Sequence, residues 1–437
     1  MAPVIRLDTT LADLYRQHGI KGDFVVTTHC VFGHLDLHPN FPREIVYPED
    51  EEPVPYSDDE AEKSRLRSII LGMKPLRRVF GVGNIDVLFF GPNVNAELLE
   101  RDLAQLPPDQ RHRPLIVDLD GPGPVTDRLG EILKDRTLVF WRPQGWMREH
   151  KCLVDPQLAF DINSKDYLLT SGIYTPPSEL VTLDNIGPDS IFATRPLPFV
   201  IKLFRAGCGF GTFLVTSEDR RREMLAAMAT YKERGTPTVI VSKYVDVKLD
   251  LSVHFFIGAP EDERNHSNPI ILAVSIQTLT DNGKWVGGHI DYQAQAGLKD
   301  LVWDRVVDTT RRLPKEFVGW GGLDIVVDAE GEQWVVDLNA RFTGSMPICF
   351  MSGHFWKARG LPLAQFGAFS YAGAIHDIHD LLGPVLESGQ VIVTATANIE
   401  EHSNMADIVW GGKDEADLAR VGKYITDRLA EPRQLPN

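Results

Sequence analysis

The segment Gly321–Arg341 (GGLDIVVDAEGEQWVVDLNAR) constrains this chain more tightly than any other. Two alternating apolar runs flank a turn at Ala329-Glu330-Gly331, the pattern of a β-hairpin. Symmetry about Glu330/Gly331 places Asp324 directly opposite Asp337. Asn339, two residues on, shares a strand face with Asp337. Like charges directly opposite one another weaken a sheet. Their position between apolar residues is at odds with two solvent-facing acids and makes sense if a cation lies between them. Two carboxylates and an amide oxygen are hard ligands of the kind that hold Mg²⁺ against phosphates.

A second signal lies upstream. Arg205-Ala206-Gly207-Cys208-Gly209-Phe210-Gly211-Thr212 spaces three glycines between two strand-like runs, Phe199–Phe204 and Thr212–Thr216. Glycine lets backbone N–H groups come close to an anion. A Walker loop or a dinucleotide loop would run into a helix instead. The alternative is an ordinary glycine-rich hairpin. Lys202 stands within the apolar run Phe-Val-Ile-Lys-Leu-Phe, where a lysine calls for a partner. Further on, the strand-like Thr238–Val245 ends in Ser242-Lys243-Tyr244-Val245, and Asp250 follows.

The order and spacing of these segments resemble the ATP-grasp superfamily over about residues 161–345, with a compatible tail to about 430. The resemblance implies an ATP site. Lys165 and Lys202 match its phosphate-binding lysines, and Gly207, Gly209, Gly211 and Thr212 belong to its flap. Ser242, Lys243, Tyr244 and Val245 match the adenine-binding segment, with serine in place of the usual acid, and Asp250 matches the ribose-binding acid. Asp324, Asp337 and Asn339 match the ligands of two Mg²⁺ ions, for which Mn²⁺ can substitute. Arg341 resembles the arginine of the Asn-x-Arg motif of amino-acid ligases, and Gly344-Ser345 the segment lining the acyl site. D-Alanine–D-alanine ligases carry an arginine two residues before the first metal acid. Here that position is Gly322, so its role falls to Arg341.

The fold expected is an α/β domain over residues 1–160, then a two-lobed grip combining α/β and α+β. Its small lobe spans 161–245 with the flap, and its large lobe spans 246–385 with the metal hairpin. A short α/β segment (386–437) ends the chain. Strands are predicted at Asp23–Thr28, Asp86–Phe90, Pro114–Leu119 and Thr137–Trp141, with a helix at Asn95–Leu106 between the second and third; this alternation predicts a parallel sheet. Pro48–Lys63 is acidic and reads as a solvated loop. A helix over Ser217–Arg234 is capped by Ser217.

The remaining features narrow the function classes. A net charge of −16 argues against a nucleic-acid partner. Four scattered cysteines fit a reducing compartment. With neither an apolar leader nor a membrane-length apolar run, the expectation is a cytoplasmic protein without a membrane partner, with a homodimer as a compatible state. His29, Cys30, His34 and His38, and separately His376 and His379, lack the spacing of a zinc site. The function expected is ligation of a carboxylate to an amine, both small molecules, through an acyl-phosphate. Lys202 and Arg341 would serve the chemistry; His289, Arg341 and Ser345 would contact substrate. The rival readings are a phosphotransferase on the same grip and a non-catalytic ATP-binding module.

Overall fold

A computed structural model describes residues 4–29, 38–42, 59–91, 94–206, 209, 211–279, 285–374, 377–400 and 403–430. Near the N-terminus, four strands, β1 (Phe24–Thr27), β2 (Asp86–Phe90), β3 (Arg113–Val117) and β4 (Thr137–Phe140), pair in the order β3-β2-β1-β4, all parallel. Every residue of β1 and β2 is buried, as expected for central parallel strands covered on both faces. At the edge, β3 is largely exposed. The helix between β2 and β3 runs Ala96–Leu103, and the Asn95 side chain caps it by accepting from Leu98 N.

Of the acidic segment Pro48–Lys63, residues 48–58 lie outside the described residues. Its end is not loop but helix: Asp59 accepts from Ala61 N and caps Glu60–Ser68. The same helical run continues through a wider turn, Ile69–Met73, into Lys74–Leu76. Pro75 explains the widening. Its ring has no N–H to give the carbonyl of Leu71 and would clash with it in a regular α-turn.

A small antiparallel sheet follows, ordered β5-β8-β6-β7: β5 (Ser178–Thr182), β6 (Phe199–Lys202), β7 (Thr212–Val215) and β8 (Thr238–Lys243). The helix Glu218–Glu233 packs Met224 and Met228 beneath it, with Ser217 accepting from Arg220 N at its start.

The largest sheet has eight antiparallel strands: β9 (Val247–Ile257), β10 (Ile270–Leu279), β11 (Trp285–Asp291), β12 (Gly319–Asp328), β13 (Gln333–Asn339), β14 (Leu363–Ala372), β15 (Val391–Glu400) and β16 (Ser403–Gly412). Their order is β13-β12-β9-β10-β11-β14-β16-β15. Residue 386 therefore lies between strands that share one sheet, β14 pairing with β16 along its whole length. One apolar core joins the N-terminal sheet to this one, with Val25, Phe89 and Trp146 in the same cluster as Phe256, Trp320 and Ile392. Burying each such aromatic is worth roughly 1.5–3 kcal/mol. Buried polar bonds add register: Asp102 accepts from both the N and the Oγ1 of Thr396 at 2.8 Å. Among the described residues no helix is long and apolar enough to cross a membrane.

Candidate active site

The β12–β13 hairpin has the register that the sequence symmetry predicts, with Asp324 opposite Asp337 and Gly322 opposite Asn339. A bulge just past Asp324 shifts the pairing toward the turn by one residue. On its other edge β12 pairs with β9, so Asp324 also faces Ser252. Two of the three glycines near the start of β12 are required by close neighbours. A Cβ on Gly321 would come within 2.2 Å of the Phe255 ring, and one on Gly322 within 2.7 Å of the Thr343 methyl.

Two lysines reach this hairpin. Lys202, on β6, donates to the carbonyl of Val336 at 2.8 Å and so ties the small sheet to β13. Lys165 follows the helix Pro156–Ile162; its Nζ lies 3.6 Å from Asp337 Oδ1 and donates to Ala206 O at 2.6 Å. The charges perturb each other. Burial pulls the Lys202 ammonium down to about 8 while Asp337, Asp324 and Asp250 hold it up. For Asp324, burial, then repulsion from Asp337 and Asp250, raises the carboxyl well above its ordinary range. Asp250 lies inside β9, not on a connecting segment, and burial lifts it to about 6 against a hydrogen bond from Gln277.

These groups line a cleft of about 1320 Å³, counting its space open to solvent. Among the predicted residues it holds Lys165, Lys202, Gly209, Thr212, Asp250, Asp324, Asp337, Asn339, Arg341 and Ser345. Gly207 lies outside the described residues. Gly211 is buried beside the cleft at φ 66°, where a side chain would press on Ala206 and Leu203. Ser242 is buried on β8, its hydroxyl 2.7 Å from that of Ser178, and with Lys243, Tyr244 and Val245 it is not among the lining residues. His289 is placed elsewhere: on β11 opposite Ile276 and Gln365, half-buried, within electrostatic reach of Glu415 and Asp291.

In the cleft and directly behind its lining lie residues that the sequence reading passed over. Ser252 and Gln277 stand beside Asp324 and Asp250. His254, fully buried on β9, has Thr343 Oγ1 3.1 Å from Nδ1 and Ser345 Oγ 3.2 Å from Nε2. Burial pulls its imidazole down to about 3, so the ring is neutral and holds both hydroxyls. Lys74, Arg77, Arg78, Trp141 and Arg142 form a further wall, contributed by the N-terminal unit. Ser252 carried a readable signal, being two residues past Asp250 on the same strand face.

Residues 172–345 match the family model described as the ATP-grasp domain. This chain carries an ATP-grasp domain. Its fold is similar to that of L-amino acid ligase from Bacillus licheniformis, at 13% identity and a TM-score of 0.52, covering 93% of this chain and 98% of that one. Carboxyaminoimidazole ribonucleotide synthase from Aspergillus clavatus, solved with ATP, is similar at 12% identity and a TM-score of 0.52, covering 79% and 92%. Biotin carboxylase from Campylobacter jejuni gives 10%, 0.50, 94% and 92%. No curated protein matches the sequence.

A divalent cation suits the ATP-grasp hairpin. Among the described residues no three histidine, cysteine or acidic side chains converge as a metal-holding group; the hairpin itself offers the two carboxylates of Asp324 and Asp337 and the amide of Asn339. Such a set is too small to enclose a hard cation and leaves positions for oxygens of a bound ligand, which is how Mg²⁺ is usually held. The opposed, partly buried carboxylates of Asp324 and Asp337 fit that ion.

Proposed function

We propose that this chain is an ATP- and Mg²⁺-dependent ligase that joins the carboxylate of a small acid, of the amino-acid class, to an amine. The observation that carries this reading is that one cleft gathers all of these groups: the lysines Lys165 and Lys202, the opposed acids Asp324 and Asp337, Asn339, Arg341 and the hydroxyl-bearing turn Thr343–Ser345.

In this reading the small lobe (161–245) and large lobe (246–385) hold ATP between them. Ser242–Val245 and Asp250 take the adenosine, and Lys165 and Lys202 take phosphate oxygens. Asp324, Asp337 and Asn339 would hold Mg²⁺ or Mn²⁺, which supplies positive charge to those oxygens when bound. A carboxylate oxygen of the acid, held at Ser345 and Arg341, attacks the γ-phosphorus. The bond to the β-phosphate oxygen breaks and ADP leaves, giving an acyl-phosphate. The amine nitrogen then attacks the acyl carbon, loses a proton to solvent, and phosphate departs with the C–O bonding pair. Phosphoryl transfer depends mainly on positioning and charge neutralisation. Arg341 supplies charge where it develops, and the flap around Gly209 and Thr212 keeps water from the acyl-phosphate.

Hydroxylamine trapping tests the proposal. With a panel of acids, the native enzyme should yield acid-dependent hydroxamate, ADP and free phosphate. Arg341→Ala should lower the rate by about 10²–10³-fold while ATP binding changes little, the usual loss for one preorganised donor. A phosphorylated product without free phosphate would make the chain a phosphotransferase.

A further inference from the structure

One face of β9 carries polar side chains at every second residue: Asp250, Ser252 and His254. The first two line the cleft, and His254 lies behind the turn Thr343–Ser345. Packing fixes its ring. Trp320 stands against it with ring centres 5.8 Å apart at 66°, and Phe350 meets Trp320 edge-on at 5.3 Å. Gly322 is opposite His254 on β12, and its missing Cβ leaves room for the Thr343 methyl. A β-branched side chain is stiff about its first torsion. With the methyl seated at Gly322, Thr343 Oγ1 is held 3.1 Å from Nδ1. Ser345 also gives up its usual bond for the ring. It stands just before the short helical turn Met346–Phe350, where a serine hydroxyl ordinarily accepts from a backbone N–H. Here it makes no such bond and lies 3.2 Å from Nε2.

Burial keeps the imidazole neutral, so it has one N–H and one bare nitrogen. Between two hydroxyls it accepts from one and donates to the other. The hydroxyl that donates to the bare nitrogen has used its proton. The hydroxyl that accepts from the N–H keeps its proton for another acceptor. Among the described residues neither hydroxyl has a further hydrogen-bond partner. A substrate carboxylate only accepts, so at Ser345 it requires that hydroxyl's proton.

Resting on the ligase reading above, we infer that His254 is a positioning residue for the acid substrate: its Nε2–H donates to Ser345 Oγ, its bare Nδ1 accepts from Thr343, and the Ser345 proton is thereby left for the substrate carboxylate. His254 acts through that hydroxyl and touches no substrate.

Histidine-selective nitrogen NMR on the full-length protein reads the tautomer without any ligand, the His254 signals being those lost in His254→Gln. Nε2 should be protonated and Nδ1 bare; the reverse overturns the inference, whatever the chain catalyses. Kinetics test the path through Ser345, with the standard amino acids as acids and the one giving most hydroxamate as the probe. An asparagine amide reaches only as far as Nδ1 does, whereas a glutamine amide reaches as far as Nε2. His254→Asn should raise KM for the acid roughly tenfold to a hundredfold, as Ser345→Ala should, the scale of one hydrogen bond to a charged group. His254→Gln, which keeps a donor at Ser345, should stay within about threefold of the native KM. The double variant His254→Asn, Ser345→Ala should be no worse than Ser345→Ala alone, because both act through one hydroxyl. KM for ATP and the affinity for a non-hydrolysable ATP analogue should not move. A role in packing alone gives equal losses from asparagine and glutamine, or additive losses in the double variant, and either result overturns the inference. Circular dichroism checks folding, and the tautomer is read on the native chain even where a variant does not fold. A ring protonated at Nε2 without acid-dependent ADP release from any acid would sustain the hydrogen-bond polarity and sink the ligase reading instead.

Discussion

Two hairpins of the eight-stranded sheet bury carboxylates under opposite conditions. In β15–β16, Asp407 is almost fully buried; burial raises its carboxyl while Arg77, with Nε at 2.7 Å, and Arg78 pull it back. In β12–β13, the nearest charge across from Asp324 is another carboxylate, Asp337, which raises it further. The first arrangement is self-sufficient: the acid has a cation and the helical run Glu60–Leu76 is fastened to the sheet. The second sets two carboxylates against each other, with Lys165 and Lys202 as the nearby counter-charges rather than a closed arginine pair. A buried acid closed by its own protein's arginine reads as architecture, and a buried acid opposed by a like charge reads as a site.

If that contrast is right, removing acids from the two hairpins has different consequences. Asp337→Ala and Asn339→Ala should lower turnover about 10³-fold or more, because they delete ligands placed for charge neutralisation at the phosphates. Unfolding midpoints should stay near those of the native chain. Magnesium titration of ADP formation is the measurement, and a variant with near-native rate and Mg²⁺ dependence would remove the metal assignment.

The architectural hairpin should behave the other way. Arg77→Ala leaves Asp407 buried without its closest partner, a change that typically costs about 3–5 kcal/mol. Urea unfolding at neutral pH should show a large drop in midpoint with unchanged slope. A loss under about 1 kcal/mol would mean that Arg78 or water serves Asp407 equally well, and the contrast between the hairpins would weaken.

How much of this was legible follows from sequence distance. Asp324 and Asp337 are joined by one turn, so period-two alternation sets their register without further information, and Ser217 signals its helix within four residues. Arg77 and Asp407 are 330 residues apart, and only the assembled core brings them together. The wall at Trp141 was hidden for the same reason: Lys74, Arg78, Arg142 and Arg341 belong to three separate segments. The strand β11 escaped notice because Gly287-Gly288 interrupts its apolar pattern, and with the strand unseen, nothing in the sequence showed that His289 faces away from the cleft. His254 lies on an apolar strand, and the Thr343 and Ser345 hydroxyls that flank it come from a turn 89 and 91 residues later.

The smallest effect gives the sharpest comparison. Asp324→Asn keeps the shape of the side chain and removes one of the two opposed charges. Without nucleotide and with a chelator present, it should stabilise the fold at pH 8 by about 0.5–1 kcal/mol, the scale of a like-charge cross-strand pair. The sign follows from the direction of the shift. Asp324 titrates higher in the folded chain than in the unfolded one, so between those two values the folded state binds more protons and stability falls as pH rises. At pH 8 the native chain bears the full repulsion and the asparagine variant does not. At pH 5 the native carboxyl is protonated, and the two proteins should unfold at nearly the same midpoint. Turnover should be lost at both pH values. A variant less stable than the native chain at pH 8 would show that Ser252 and Gln277, which hydrogen-bond the Asp324 carboxylate, outweigh the repulsion from Asp337. The hairpin's acids would then be held in place by the protein itself, as Asp407 is.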